Sequence, residues 1–261
     1  MKIFYLGTCS GTEPMPQMHH CSYIIEIAGL LYWIDAGEGC AYTAHTNSID
    51  VTKTKAIFVT HPHLDHIGGL ANLLGCMHKI AGRYKKPLAY NNTLEIFFPD
   101  LSVLQAVKTV ALGNVDPGFN YVINEHRIAD GVIFEDENLR VSALHNRHLK
   151  NDDGVVGFRS FSFLAQTQGK RIVCSGDVRS PSELDPFVKD GADLLIMETG
   201  HHKVCDVCEY ARDMGVKNLR FNHHGREIIG DREGVQAYID DFAKKNGMDI
   251  KLCFDTMVEN L

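Results

Sequence analysis

Residues 60–66 read Thr-His-Pro-His-Leu-Asp-His, directly after the short apolar run 55–59. Four side chains of metal-ligand type, His61, His63, Asp65 and His66, therefore follow a buried-type strand within six positions. His61 and His63 can point one way from an extended backbone, and the turn that follows re-aims Asp65 and His66. One loop can thus fold all four around a common centre. Neutral imidazole and carboxylate suit Zn, Mn or Fe(II), and Gly68-Gly69 let the backbone pass close to the site. A chain carrying such a loop needs a frame that holds strand ends together and supplies the remaining ligands.

Three other segments offer them. Residues 171–177 (Arg-Ile-Val-Cys-Ser-Gly-Asp) put Asp177 at the end of a buried-type strand, where a carboxylate can bridge two cations. Residues 219–225 place His223 and His224 at another strand end, and residues 141–148 place His145 and His148 after a mid-chain strand. A lone strand-end Asp or His is an ordinary solvated residue. Three such ends beside the first cluster point to a dinuclear centre.

The rest of the pattern describes the frame. Strands are expected at 2–6, 22–27, 30–34 and 55–59, with 22–34 a hairpin about Ala28-Gly29. Helical spacing runs over 69–78. After Pro87 come a short strand and a helix over about 100–111, then a loop through 114–118. In the second half, strands are expected at 120–124, 132–134, 139–144, 157–165, 171–174 and 192–197. Helices follow at 203–214, stopped by Gly215, and at 232–245, where Val235, Tyr238, Ile239 and Phe242 keep helical spacing before Gly247. Strands then helices in each half imply two packed sheets with helices outside. No repeat or linker marks a boundary. Phe158, Phe161 and Phe163 are expected to pack a sheet face, Glu38 to shape a turn, and Arg226 to face solvent or a phosphate.

A net charge of −7 argues against a surface that grips polyphosphate nonspecifically. The apolar run 2–6 is too short for a signal-peptide core, and no stretch approaches the ~18 apolar residues of a membrane span. Eight cysteines without a framework pattern read as free thiols in a reducing, cytoplasmic compartment. Cys205 and Cys208 form a CxxC, but within a helical pattern and with no second pair nearby.

These motifs resemble the metallo-β-lactamase fold superfamily, whose hallmark is HxHxDH followed by a His, an Asp and a His, over nearly the whole chain. Within it the chain is most similar to the ribonuclease Z-like phosphodiesterase branch. Leu6-Gly7-Thr8 with Gly11 and Pro14 resembles that branch's opening loop, residues 33–39 (Trp-Ile-Asp-Ala-Gly-Glu-Gly) its LDCGEG segment, and residues 66–70 the continuation of its metal motif. The resemblance implies an α/β fold, a four-layer αββα sandwich of two mixed β-sheets packed face to face with helices outside. It also implies a single metallo-β-lactamase-like hydrolase domain over 1–261. His61, His63 and a mid-chain His would hold one metal, and Asp65, His66 and His223 the other, with Asp177 bridging. The family's ligand lies seven residues after the valine of V-x-A-x-P-x-x-H, and 141 + 7 = 148 favours His148 over His145. His145 then becomes an outer partner or substrate contact. Glu198 and His201 resemble the branch's strand-end Glu and downstream His, the spacing 223 − 201 = 22 favouring His201 over His202.

The implied cofactors are two divalent ions, zinc first and Mn or Fe as alternatives, sharing a hydroxide that attacks phosphorus. Asp65 would orient that nucleophile, and His201, supported by Glu198, would protonate the leaving oxygen. Ribonuclease Z carries a tRNA-gripping arm between its mid-chain His and bridging Asp. Here that interval is 177 − 148 = 29 residues without a Gly- and Lys-rich excursion. The expected activity is therefore that of a phosphodiesterase on a small phosphodiester, a cyclic nucleotide or related metabolite. The alternatives are another ester (lactone or sulfate), tRNA 3′ processing, or a noncatalytic metal-containing ligand-binding protein. The region of His19, His20 and Cys21 offers too few cysteines for the extra zinc site of the phosphonate-pathway relatives. No membrane partner is expected, nucleic acid is disfavoured, and a homodimer is implied by resemblance alone.

Overall fold

The hairpin about Ala28-Gly29 forms as its sequence dictates. Strands β2 (Ser22–Ile27) and β3 (Leu30–Ile34) pair antiparallel with Ile27 opposite Leu30. The two turn residues both have positive φ, 52° and 79°, the twist that a two-residue hairpin needs. The computed structural model describes residues 1–11, 16–113, 117–149 and 157–261. Pro14 of the opening loop and 114–116 of the loop expected after the helix over about 100–111 lie outside the described residues. The chain divides into two compact units, Met1–Ile128 with Phe254–Leu261, and Ala129–Cys253.

In the first unit β1 (Lys2–Gly7), β2, β3, β4 (Thr54–Phe58), β5 (Thr93–Phe98), β6 (Val122–Arg127) and β14 (Val258–Asn260) form one sheet. Its order is β14-β1-β2-β3-β4-β5-β6, with β3 to β6 parallel and the other neighbours antiparallel. Helices α1 (Cys40–Thr46), α2 (Leu64–Ile67), α3 (Leu70–Arg83) and α4 (Leu101–Leu112) complete it. The apolar spacing of α3 continues past the expected end at 78, through Ala81, and its buried face, Leu70, Leu73, Leu74 and Met77, joins Trp33, Ile57 and Leu104 in one core. Asp100 caps α4, its Oδ1 accepting the Ser102 N–H at 3.0 Å. The indole of Trp33 donates to Thr54 Oγ1 at 2.9 Å, so its burial leaves no polar atom stranded.

The second unit holds β7 (Gly131–Glu135), β8 (Arg140–His145), β9 (Phe161–Thr167), β10 (Lys170–Cys174), β11 (Leu194–Glu198), β12 (Asn218–Asn222) and β13 (Asp249–Leu252). The order is β13-β12-β11-β10-β9-β8-β7, with β10 to β13 parallel. Helices α5 (Asp185–Val188), α6 (Val204–Asp213), α7 (Arg226–Gly230) and α8 (Arg232–Asn246) accompany it. Because β8 and β10 each run antiparallel to β9, the strands β8, β10, β11 and β12 all point the same way. Their C-terminal ends share one edge of the sheet, the edge on which open α/β sheets bind ligands. Strand β9 begins at Phe161, four residues later than the expected 157. Phe161 and Phe163 are buried in the sheet as expected, whereas Phe158 lies ahead of the strand and is half-buried. Among the described residues no helix is long and apolar enough to cross a membrane.

Glycine is required where residues 33–39 pass the histidine loop. A Cβ on Gly37 would lie 2.4 Å from the Asp65 carbonyl oxygen and 2.7 Å from that of Cys21, and one on Gly69 would lie 2.2 Å from the Gly37 carbonyl oxygen. These are backbone atoms, which cannot rotate away. Gly37→Ala is expected to cost about 1–3 kcal/mol through overpacking, seen as a lower Tm by calorimetry. An unchanged Tm would show that the two segments do not approach this closely.

Candidate metal centre

Strand β4 ends at Phe58, and the residues that follow its C-terminal end, from Thr60 on, present the first donor cluster. His61 and His66 are fully buried, with ring centroids 4.0 Å apart. His61 Nδ1 lies 3.1 Å from Thr60 Oγ1, while its Nε2 lies 3.0 Å from His63 Nδ1. The four-residue helix α2 re-aims the chain so that His66 Nε2 comes 3.5 Å from Asp65 Oδ2. Two ligands bonded to one zinc at about 2.0–2.1 Å in a tetrahedral arrangement sit about 3.3 Å apart. Both pairs match that edge. Gly11 makes room for the Asp65 carboxylate, since a Cβ there would come within 2.7 Å of it.

Asp35, at the end of β3, organises this loop, although it carried no role in the reading of the sequence. Its Oδ1 accepts the Thr60 N–H at 2.7 Å, its Oδ2 accepts the Thr60 hydroxyl at 2.9 Å, and Oδ2 lies 2.8 Å from His66 Nδ1. With Nδ1–H donated to the carboxylate, the ring's lone pair falls on Nε2, the nitrogen that faces Asp65. The signal available in the sequence was a polar residue ending the buried strand 30–34. Its contact with Thr60 lies 25 positions away. His19 pairs instead with Asp255, Nδ1 to Oδ2 at 2.8 Å.

In the second unit the ends of β8, β10, β11 and β12 are followed by His148, Asp177, Glu198 and His223. Asp177 is buried, with Oδ2 at 3.6 Å from His148 Nε2 and Oδ1 at 3.5 Å from His223 Nε2. Each carboxylate oxygen thus faces a different imidazole. His145 has different partners. Its backbone N–H and its Nδ1 approach the two oxygens of Asp130 at 2.7 and 2.6 Å, and its ring stacks on Phe158. The His148 N–H donates to Asn146 Oδ1 at 3.2 Å, fixing the step between the two histidines.

Glu198 is buried and both its oxygens lie 3.1 Å from His201 Nδ1. The His201 side chain remains 43% exposed, and its Nδ1 is 3.8 Å from Asp177 Oδ2. His202 Nε2 donates to the Val178 carbonyl at 2.9 Å and lies 3.4 Å from Glu198 Oε1. Asp177, Glu198, His201 and His223 bring donor atoms within 4.8 Å of one another. His223 takes a left-handed backbone, φ 51°, and the next ring, His224, is fully buried with its Nε2 donating to the Cys253 carbonyl at 2.5 Å. Burial lowers the His224 pKa to about 4, so that ring is neutral near pH 7 and serves as an anchor. Arg226 is exposed at the start of α7.

Both donor sets, imidazole with carboxylate at ligand-to-ligand distances, fit divalent ions that prefer nitrogen and oxygen. The CxxC offers nothing comparable. Cys205 and Cys208 lie on α6, burial pushes the Cys208 thiol up to about 12, and neither belongs to a donor cluster among the described residues.

Comparison with known proteins agrees with this geometry. The family described as anti-Pycsar protein Apyc1 matches residues 1–203. Ribonuclease Z of Saccharolobus islandicus (strain L.S.2.15 / Lassen #1) is 26% identical over an alignment covering 85% of this chain and 88% of that protein. Among solved structures, the short form of human tRNase Z superposes with a TM-score of 0.73 at 21% identity, covering 100% of this chain and 99% of the other. The metallo-β-lactamase fold protein YhfI of Bacillus subtilis gives 0.73 at 16% identity, over 99% and 98%. Two mixed seven-stranded sheets with helices are the metallo-β-lactamase fold.

Proposed function

The chain belongs to the anti-Pycsar protein Apyc1 family and is a metal-dependent hydrolase of the metallo-β-lactamase fold, and from that premise we propose that it is a phosphodiesterase acting on a small phosphodiester, a cyclic nucleotide or a related metabolite. The observation that carries the reading is Asp177, whose two oxygens face two different histidines at 3.6 and 3.5 Å. A carboxylate so placed suits a bridge between two ions. Ligand arithmetic supports pairing the clusters. His61 and His63 are too few for one ion, and Asp65 and His66 too few for a second. Counted by ligand type alone, His148 and His223 would add one ligand to each and Asp177 an oxygen to both, which would make two four-ligand sets in a proposed single domain over 1–261. Two divalent ions, zinc first and Mn or Fe as alternatives, would neutralise charge on the phosphoryl oxygens and lower the pKa of water to about 7.

The chain's own residues supply the rest. Asp65 orients the attacking water through its carboxylate. His201 donates Nδ1–H to Glu198, which leaves Nε2 as the atom that delivers a proton to the departing oxygen. Eight cysteines, none of them in a disulfide, fit a reducing cytoplasm.

A second reading, cleavage of precursor tRNA, is favoured by the ribonuclease Z relatives. Against it stand the net charge of −7 and the interval between His148 and Asp177, whose described part is occupied chiefly by the β9–β10 hairpin. The test is hydrolysis of bis(p-nitrophenyl) phosphate, adenosine 3′,5′-cyclic phosphate and a precursor tRNA by protein loaded with zinc, manganese or iron(II). His148→Ala is expected to lose more than about 100-fold in rate and one metal equivalent, beyond the cost of an outer-shell change. His145→Ala should retain both metals, and the reverse result would make His145 the ligand. Cleavage of tRNA with the cyclic nucleotide untouched would sink the small-substrate reading.

A further inference from the structure

We propose that His145 and Phe158 form a stacking platform for the base of a nucleotide substrate, an inference that rests on the phosphodiesterase reading above. The two rings lie 3.7 Å apart, centroid to centroid, at an interplanar angle of 8°. That is a face-to-face overlap, whereas aromatic pairs left to their own electrostatics prefer offset or edge-on packing. The arrangement is imposed by Asp130, which grips both the backbone N–H and the Nδ1 of His145. The His145 side chain is 31% exposed and Phe158 is half-buried.

The position of the pair suits a substrate contact. His145 ends β8, where it pairs with Phe161 of β9, and His148 follows three residues later with its Nε2 facing Asp177. Three residues of extended chain span at most about 10 Å, on the order of the reach from a scissile phosphate to the base of the same nucleotide. Every nucleobase presents a π face, so stacking gives affinity without reading hydrogen-bond edges. The platform would therefore hold purine and pyrimidine nucleotides alike and would not bind a sugar phosphate that has no base.

The test compares adenosine and cytidine 3′,5′-cyclic phosphates with base-free methyl ribofuranoside 3′,5′-cyclic phosphate, using the metal-loaded protein and its Phe158→Ala and Phe158→Leu variants. Leucine keeps apolar volume but removes the π face, which guards against a simple folding defect. The expected result is a KM for both nucleotides that rises roughly 5- to 100-fold relative to that for the base-free compound, with kcat changed far less. Equal changes for all three compounds, or none, would overturn the platform. If the wild-type protein turns over no cyclic phosphate, the phosphodiesterase reading falls separately. The platform is then judged by fluorescence of 2-aminopurine riboside. Quenching by the wild type that is lost in Phe158→Leu supports it, and absence of quenching overturns it.

Discussion

Asp177→Ala is expected to lower phosphodiester turnover by more than about 10³-fold, since loss of an outer-shell partner alone costs 10- to 100-fold. It should also reduce bound metal below two equivalents. The carboxylate is buried, and each oxygen faces a different histidine, His148 or His223. Removing it takes one ligand from each proposed ion and leaves two dications with one fewer anion to offset their repulsion. Asp177→Asn makes the test stricter. The amide keeps the shape and one acceptor oxygen, but its nitrogen cannot ligate, so one ion is expected to be held and the other lost. Elemental analysis and turnover of bis(p-nitrophenyl) phosphate read both effects. Full activity with both metals in Asp177→Ala would show that the bridging assignment is wrong.

Asp35→Ala should produce the second large effect, this time without touching a proposed ligand site directly. Loss of the carboxylate strands the buried Thr60 N–H, at about 1–3 kcal/mol for an unsatisfied group, and removes one partner of the hydroxyl. It also frees the His66 tautomer, which is expected to cost 10- to 100-fold in metal affinity. Asp35 has φ 58°, a left-handed conformation that asparagine tolerates far better than alanine. Asp35→Asn should therefore retain more stability by denaturant titration. Its amide oxygen can still accept from Thr60, but an amide N–H turned toward His66 Nδ1 would favour the wrong tautomer. Weaker zinc binding in a well-folded Asp35→Asn is the expected result. Unchanged zinc affinity in that variant would remove Asp35 from the metal-positioning role.

Elements with a strong local pattern were legible from the sequence. The Ala28-Gly29 hairpin and the helix closed by Gly247 follow from turn chemistry and apolar spacing, and both occur within a residue or two of the expected bounds. Helix α1 and strands β13 and β14 were not legible. Strand β14 has only three residues, 258–260, and exists because they pair with β1 at the far end of the sequence. No local propensity records such a partner. Phe158 departs from the expected sheet face for a similar reason, its neighbour being His145 across the chain rather than the β9 strand.

The sequence by itself determined the chemical types of the donors and their positions at strand ends. Histidine and aspartate directly after apolar runs are local facts, and a strand end can present them on one edge. Tertiary structure alone decided how neighbouring candidates divide their work. His145 faces Asp130 while His148 faces Asp177, and His201 meets Glu198 through Nδ1 while His202 turns Nε2 to the Val178 carbonyl, 3.4 Å from Glu198. Within each pair the side chains are chemically identical and at most three positions apart, so propensity and spacing cannot separate them. Their orientations depend on which carboxylate or carbonyl the fold sets opposite each ring. Strand pairing across distant sequence positions, as with Asp35 and Thr60, makes that choice.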